Sequence, residues 1–156
     1  MSTEETIQQA LVADLGFPAA RVRIQRARRI WAETTPEAFD GALSRIVKEL
    51  EFSILCTITG LDEGDSLAML YHLARPSGII LTLKVSVPKS NPAWKTVMDI
   101  FPGSTFYERE LVDLLGLQIQ GLPPGSRYPL TDDWPVGEHP LRKDWQPAGS
   151  KKEVAP

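Results

Sequence analysis

The chain has one cysteine, Cys56, and two histidines, His72 and His139, among 156 residues. One thiol excludes an internal disulfide and an iron–sulfur cluster held by the usual four thiolates. It also fits a reducing compartment. With no cysteine beside them, the histidines lack the company of a zinc site. His139 lies near Asp132, Asp133 and Glu138, and an acid-rich turn is the ordinary reading of that group. There is no glycine-rich phosphate loop, no G-x-S-x-G and no H-E-x-x-H. The most apolar run, Gly78 to Val85, is broken by Thr82 and Lys84 and is too short to span a bilayer. Positive charge is not in excess either: the net charge is −3, against the basic footprint of a general nucleic-acid binder. The polar start, Met1-Ser2-Thr3-Glu4-Glu5, does not read as a secretory signal.

What is present is a balanced globular composition, 42% apolar and 24% charged, with length for one core and an appendage. Ser2 to Glu5 forms a capping-box pattern, and Ile7, Leu11 and Leu15 then predict a helix over about 3–15, stopped by Gly16. Residues 21–33 alternate weakly and predict two short strands, bent at a bulge. Arg21, Arg23, Arg26, Arg28 and Arg29 crowd them. A solvated strand face is the ordinary reading of such a charge run, and an anionic partner surface is the alternative. Thr35-Pro36-Glu37 starts a helix over about 36–50, with Phe39, Leu43, Ile46, Val47 and Leu50 on one face. Three strands follow, marked by Phe52/Ile54/Cys56/Ile58, Leu67/Met69/Tyr71/Leu73 and Ile79/Leu81/Leu83/Val85, with hairpin chemistry between them. That alternation puts Cys56 on the buried face as a small hydrophobe. Asn91-Pro92 predicts a helix carrying Trp94, Val97, Met98 and Phe101. Thr105 to Glu108 reads as a second capping box, opening a short helix buried through Leu111, Leu114 and Leu115.

The order α-β-β-α-β-β-β predicts an α+β two-layer sandwich with a largely antiparallel or mixed sheet, then short helices and an extended C-terminal arm. The expected division is a core over 1–101, a helix segment over 102–121, an arm over 122–147 and a disordered tail over 148–156. Seven of the 13 prolines and two of the four tryptophans, Trp134 and Trp145, fall after Gly121. Proline favours extended backbone with free donors and acceptors, and tryptophan is a common interface anchor. The arm therefore reads as a strap for another protein, with packing onto its own domain as the alternative.

Acid–base chemistry finds little support. On a helix Glu108 and Glu110 point about 200° apart. Glu110 and Asp113 share a face, but a glycosidase pair must flank its bond from two sides. Arg109 and Asp113 stand four apart and are expected to pair.

Phe106-Tyr107-Glu108-Arg109-Glu110-Leu111-Val112-Asp113-Leu114-Leu115-Gly116-Leu117, then Gly121, Leu130-Thr131-Asp132-Asp133-Trp134-Pro135 and His139-Pro140-Leu141-Arg142-Lys143-Asp144, form two blocks over about a third of the chain. They resemble the signature of the hydrophilic 30 kDa subunit family of NADH–quinone oxidoreductase, respiratory complex I. Leu122 stands where that pattern has histidine, Phe106 where it has tryptophan, and Glu138 is inserted before His139. The Asp132-Asp133-Trp134-Pro135 phrase is nearer the homologous subunit of energy-converting nickel–iron hydrogenases.

The resemblance implies a subunit of a membrane-associated, ion-pumping oxidoreductase with no catalytic, cofactor or metal site of its own. Iron–sulfur, quinone or nickel–iron sites are then expected in partner subunits. The implied partners are the large subunit and an iron–sulfur subunit, with no nucleic acid and membrane contact only through partners. The implied place is the cytoplasmic face of the cell membrane. Expected partner-binding residues are Glu108, Arg109, Glu110, Asp113 and Gly116 on the helix. On the arm they are Trp134, His139, Pro140, Leu141, Arg142, Lys143, Asp144 and Trp145. The rival readings are the equivalent hydrogenase subunit, a stand-alone acid–base enzyme using Glu110 and Asp113, and a nucleic-acid adaptor using the arginine cluster.

Overall fold

The computed structural model describes residues 1–147, so the tail over 148–156 lies outside the described residues. The expected capping box forms: Ser2 N donates to Glu5 Oε2 (2.6 Å) and Glu5 N to Ser2 Oγ (3.2 Å). It starts α1 (Thr3–Ala13), which buries Ile7 and Leu11. β1 (Val22–Arg26) and β2 (Arg29–Glu33) make a hairpin with a register shift between Ile24 and Arg26. The Glu4 carboxylate receives the Arg28 amide at its tip (2.8 Å). α2 (Pro36–Glu49) follows, with Phe39, Leu43 and Ile46 inward at helical spacing. β3 (Ile54–Asp62), β4 (Ser66–Ala74) and β5 (Ile80–Pro88) are joined as antiparallel hairpins, and β5 runs parallel to β2. The strand order is β1-β2-β5-β4-β3, a mixed, mostly antiparallel sheet.

The expected α+β layering is therefore present. Met69, Tyr71, Leu81 and Leu83 line one sheet face and are shut off from water. Phe39 meets Tyr71 at 4.8 Å between ring centroids, which places α2 on this face. On the opposite face His72 laces three strands, with Nε2 at 3.0 Å from Thr59 Oγ1 and Nδ1 at 3.1 Å from Thr82 Oγ1. Burial pushes the His72 pKa down.

Two expectations fail, each for a tertiary reason. Cys56 is exposed, because the β3–β4 register shifts between Leu55 and Thr57. The bulge uses Cys56 as its extra residue and breaks the simple alternation. Residues 91–101 do not form a helix. Instead β6 (Ala93–Lys95) pairs in parallel with β7 (Gln118–Gln120), and turns follow. Donors a helix would have used go elsewhere: Thr96 N to the Gln120 carbonyl (2.9 Å) and Val97 N to Glu108 (2.8 Å). Trp94, Val97 and Phe101 still reach the core, so their spacing reported burial correctly and conformation wrongly.

Candidate partner-binding site

Helix α3 (Thr105–Leu115) carries the signature, and each of its charged residues has a different fate. The second capping box does not form, because Ser104 occupies the N-cap without a side-chain bond. Glu108 turns inward instead and is fully buried. Its side chain accepts from Thr96 Oγ1 (2.7 Å) and Val97 N (2.8 Å), so a buried, hydrogen-bonded carboxyl group ties α3 to the segment after β6. Next to it Trp94 Nε1 donates to the Tyr71 hydroxyl (2.8 Å). Burial pushes the Tyr71 phenol well up, with the Glu108 charge adding to it.

Arg109 and Asp113 do not pair. Arg109 Nη2 donates to the carbonyls of Pro123 (2.8 Å) and Pro124 (3.4 Å), and the guanidinium covers Gly125 so closely that a Cβ there would collide with it. Asp113 faces Arg127 Nε at 3.5 Å and receives the Leu130 amide at 3.3 Å. Both residues hold the first half of the arm. The second half closes over the end of the helix. A helix leaves its last carbonyls without partners inside it, and here the arm supplies them. His139 Nδ1 lies 2.9 Å from the Asp113 carbonyl, and the Leu141 amide donates to Leu114 O (3.0 Å). Arg142 Nε donates to Leu115 O (2.7 Å) and its Nη2 reaches Gly116 O (3.5 Å). Gly116 ends the helix at φ +73°, and a Cβ on it would strike the His139 ring and Arg142.

Asp62, at the end of β3, completes the closure, and its side chain is 1% exposed. It accepts from Lys89 Nζ (2.6 Å), Lys143 N (2.8 Å) and Gly64 N (2.8 Å). Burial pushes the Asp62 carboxyl up, but the Lys89 ammonium and the two amides outweigh it and hold the pKa at about 2. Lys89 also meets Asp144 Oδ1 (2.9 Å), so one cation joins a sheet carboxylate to an arm carboxylate. The ring centroids of Trp134 and Trp145 lie 5.8 Å apart. Both indoles donate to Glu138, Trp134 to its carbonyl and Trp145 to its carboxylate, each at 3.0 Å.

The arm is thus laid along its own helix. Its outer side stays in water: Val136 is 97% exposed and Leu141 54%, and Phe106 and Tyr128 form a separate exposed edge-to-face pair. Pro140 is half-buried, and the Lys143 side chain is exposed. Among the described residues no group of three or more His, Cys, Asp or Glu side chains is arranged to hold a metal ion. Sequence reasoning missed Asp62, Lys89, Arg127 and Glu138. Asp62 sat in a segment read only as a turn, and Lys89 followed a strand end. Nothing local marks either as the arm's holder.

Residues 32–151 match the family described as "Respiratory-chain NADH dehydrogenase, 30 Kd subunit". The chain belongs to this 30 kDa subunit family. The beta subunit of the membrane-bound hydrogenase of Pyrococcus furiosus is 34% identical over 138 residues, 82% of this chain and 79% of that one. A subunit of the F(420)H(2) dehydrogenase of Methanosarcina mazei is 28% identical over 90% of each chain. A subunit of the NADH-quinone oxidoreductase of Geobacter sulfurreducens is 33% identical over 71% of each. Among solved structures, the membrane-bound sulfane sulfur reductase, an archaeal respiratory membrane complex, contains a chain similar at TM-score 0.81 and 25% identity. That match covers 93% of this chain and 86% of that one. A trypsin-resistant fragment of Nqo5 matches at TM-score 0.64 and 26% identity, over 80% of this chain and all of the fragment. This member of the 30 kDa family is accordingly a subunit of an oxidoreductase complex of the complex I and hydrogenase-related kind. No helix among its described residues is long and apolar enough to cross a membrane.

Proposed function

We propose that the chain is a cofactor-free structural subunit of an ion-pumping, membrane-associated NADH–quinone oxidoreductase assembly. It sits peripherally on the cytoplasmic side of the membrane. Its docking face is α3 with the arm closed over it, and it seats against the large, quinone-site subunit beside an iron–sulfur subunit. The observation that carries this reading is the use of the signature. Arg109, Asp113, His139, Arg142 and the Lys143 amide are spent on fixing the arm to the helix. That rigid backing leaves Phe106, Tyr128, Val136 and Leu141 as exposed apolar side chains. Ordering a loop before binding lowers the entropy lost on association, and exposed apolar groups with aromatic members are typical contact points. Electron transfer then runs through cofactors of the partners, and this chain supplies geometry.

A second reading is the equivalent subunit of an energy-converting nickel–iron hydrogenase. The Asp132-Asp133-Trp134-Pro135 phrase and the similarity to the hydrogenase beta subunit favour it. Affinity purification under mild detergent tests both. A co-purifying large subunit with paired C-x-x-C motifs selects the hydrogenase, and one without them selects the quinone reductase. An isolated chain that turns over a substrate or holds an iron–sulfur cluster defeats the structural role.

A further inference from the structure

The five-stranded sheet has two edges, and they are finished differently. The β1 edge carries Arg23 and Arg26, with Arg21 and Arg28 beside them, all exposed. Charge of this kind keeps an edge from pairing with another chain. The β3 edge has no such protection. From Ile54 to Leu61 there is neither a charged residue nor a proline. Ile54 is 49% exposed and Leu61 43%.

In an edge strand, half of the main-chain N–H and C=O groups face away from the neighbour. Tyr107 covers one of these, donating from its hydroxyl to the Cys56 carbonyl (2.9 Å). Beyond it, among the described residues, no main-chain group of residues 57–61 bonds to anything outside the sheet. Alongside runs a groove of about 160 Å³, lined by Thr57–Gly60 on one side and by Leu114 and Leu141 on the other. Glu110 also lines it. The Glu110 side chain has no ion pair or hydrogen bond among the described residues, whereas those of Glu108, Arg109 and Asp113 are all engaged within the chain.

We propose that the β3 edge takes up an extended segment of another subunit as a sixth strand. One aliphatic side chain of that segment fills the groove, and a lysine or arginine faces Glu110. The inference rests on the reading of the chain as a member of a larger complex. A strand is the fitting occupant because main-chain donors and acceptors along an edge are satisfied by another main chain. A basic residue fits because a carboxylate that loses water on docking needs a cation. A second copy of β3 does not serve, because its residues 54–61 bring no charge to meet Glu110.

The test is hydrogen–deuterium exchange on the isolated chain and on the complex purified in mild detergent, joined to the variants Glu110→Lys and Leu61→Lys. Amides within residues 57–61 should exchange about tenfold or more slowly in the complex, as paired ladder amides do. Glu110→Lys should fold normally by circular dichroism and enter the complex about tenfold less. Glu110→Gln, which removes the charge without reversing it, serves if the lysine variant does not fold. Unchanged exchange at 57–61 with a protected arm overturns the edge proposal and leaves the subunit reading standing. Normal recovery of both charged variants does the same. An isolated chain that dimerises with 57–61 protected makes a second copy the occupant and also overturns it. A wild-type chain recovered in no complex overturns both readings.

Discussion

In the α/β body Phe39, Leu43, Tyr71 and Leu81 are out of contact with water; among residues 122–147 no side chain reaches that state. The body is held by burial of apolar surface, which is non-directional and roughly proportional to area. The arm is held by directional bonds to helix carbonyls and to one sheet carboxylate. The two should therefore fail separately. The body should fail as a unit when its core is damaged. The arm should peel when a partner atom is removed or protonated, with the sheet left standing.

Glu108→Ala should be the largest perturbation, because it strikes the junction inside the body. It leaves the buried Val97 amide without its acceptor and opens a cavity. A loss of about 3 kcal/mol or more is expected in chemical denaturation. A loss under about 1 kcal/mol would show the contact to be dispensable. Gly116→Ala should come next and act at the seam. It strains a left-handed position by about 1–2 kcal/mol and displaces His139 and Arg142. Protease cleavage within 122–147 should quicken several-fold while the body melts within a few degrees of wild type. An unaltered cleavage rate would count against helix capping as what holds the arm.

Acid should separate the two regions without mutation. The Asp62 carboxyl sits at about 2 when folded, against an ordinary value of 3.8. A depressed pKa contributes stability that is fully present above the unfolded value and is lost as pH falls through the folded one. Arm protection should therefore weaken between about pH 4 and pH 2, followed by the fluorescence of Trp134 and Trp145. In Asp62→Asn that transition should shrink, with the Asp144 carboxyl, which Lys89 also holds low, carrying what remains. An identical acid profile in the variant would remove Asp62 from the account. The smallest effect should come from Cys56→Ser, within about 0.5 kcal/mol, because the bulge leaves this thiol in solvent. A larger cost would restore the buried placement that alternation alone suggested.

The body was largely legible from the chain. Phe39, Leu43 and Ile46 recur at helical spacing, and Leu67, Met69, Tyr71 and Leu73 alternate, so each element declares its buried face within a few residues. Spacing failed where conformation depended on a distant acceptor. Trp94, Val97 and Phe101 are buried as expected, yet Glu108 and Gln120 draw the donors of residues 96 and 97 out of any helix. The site was legible as a set of residues and not as a wiring scheme. Arg109 and Asp113 stand at pairing distance in sequence, but the carbonyls of 123–124 and the Arg127 guanidinium take them instead.

By itself the sequence determined the class of layers, the membership of the signature and the want of catalytic motifs, since these reside in residue types and short spacings. Tertiary structure alone decided that the arm closes on its own helix, that Asp62 grips it and that, among the described residues, the Glu110 side chain is left without a partner. Hydrogen bonds act over about 3 Å, so which partners meet is settled only when segments far apart in the chain have been packed side by side.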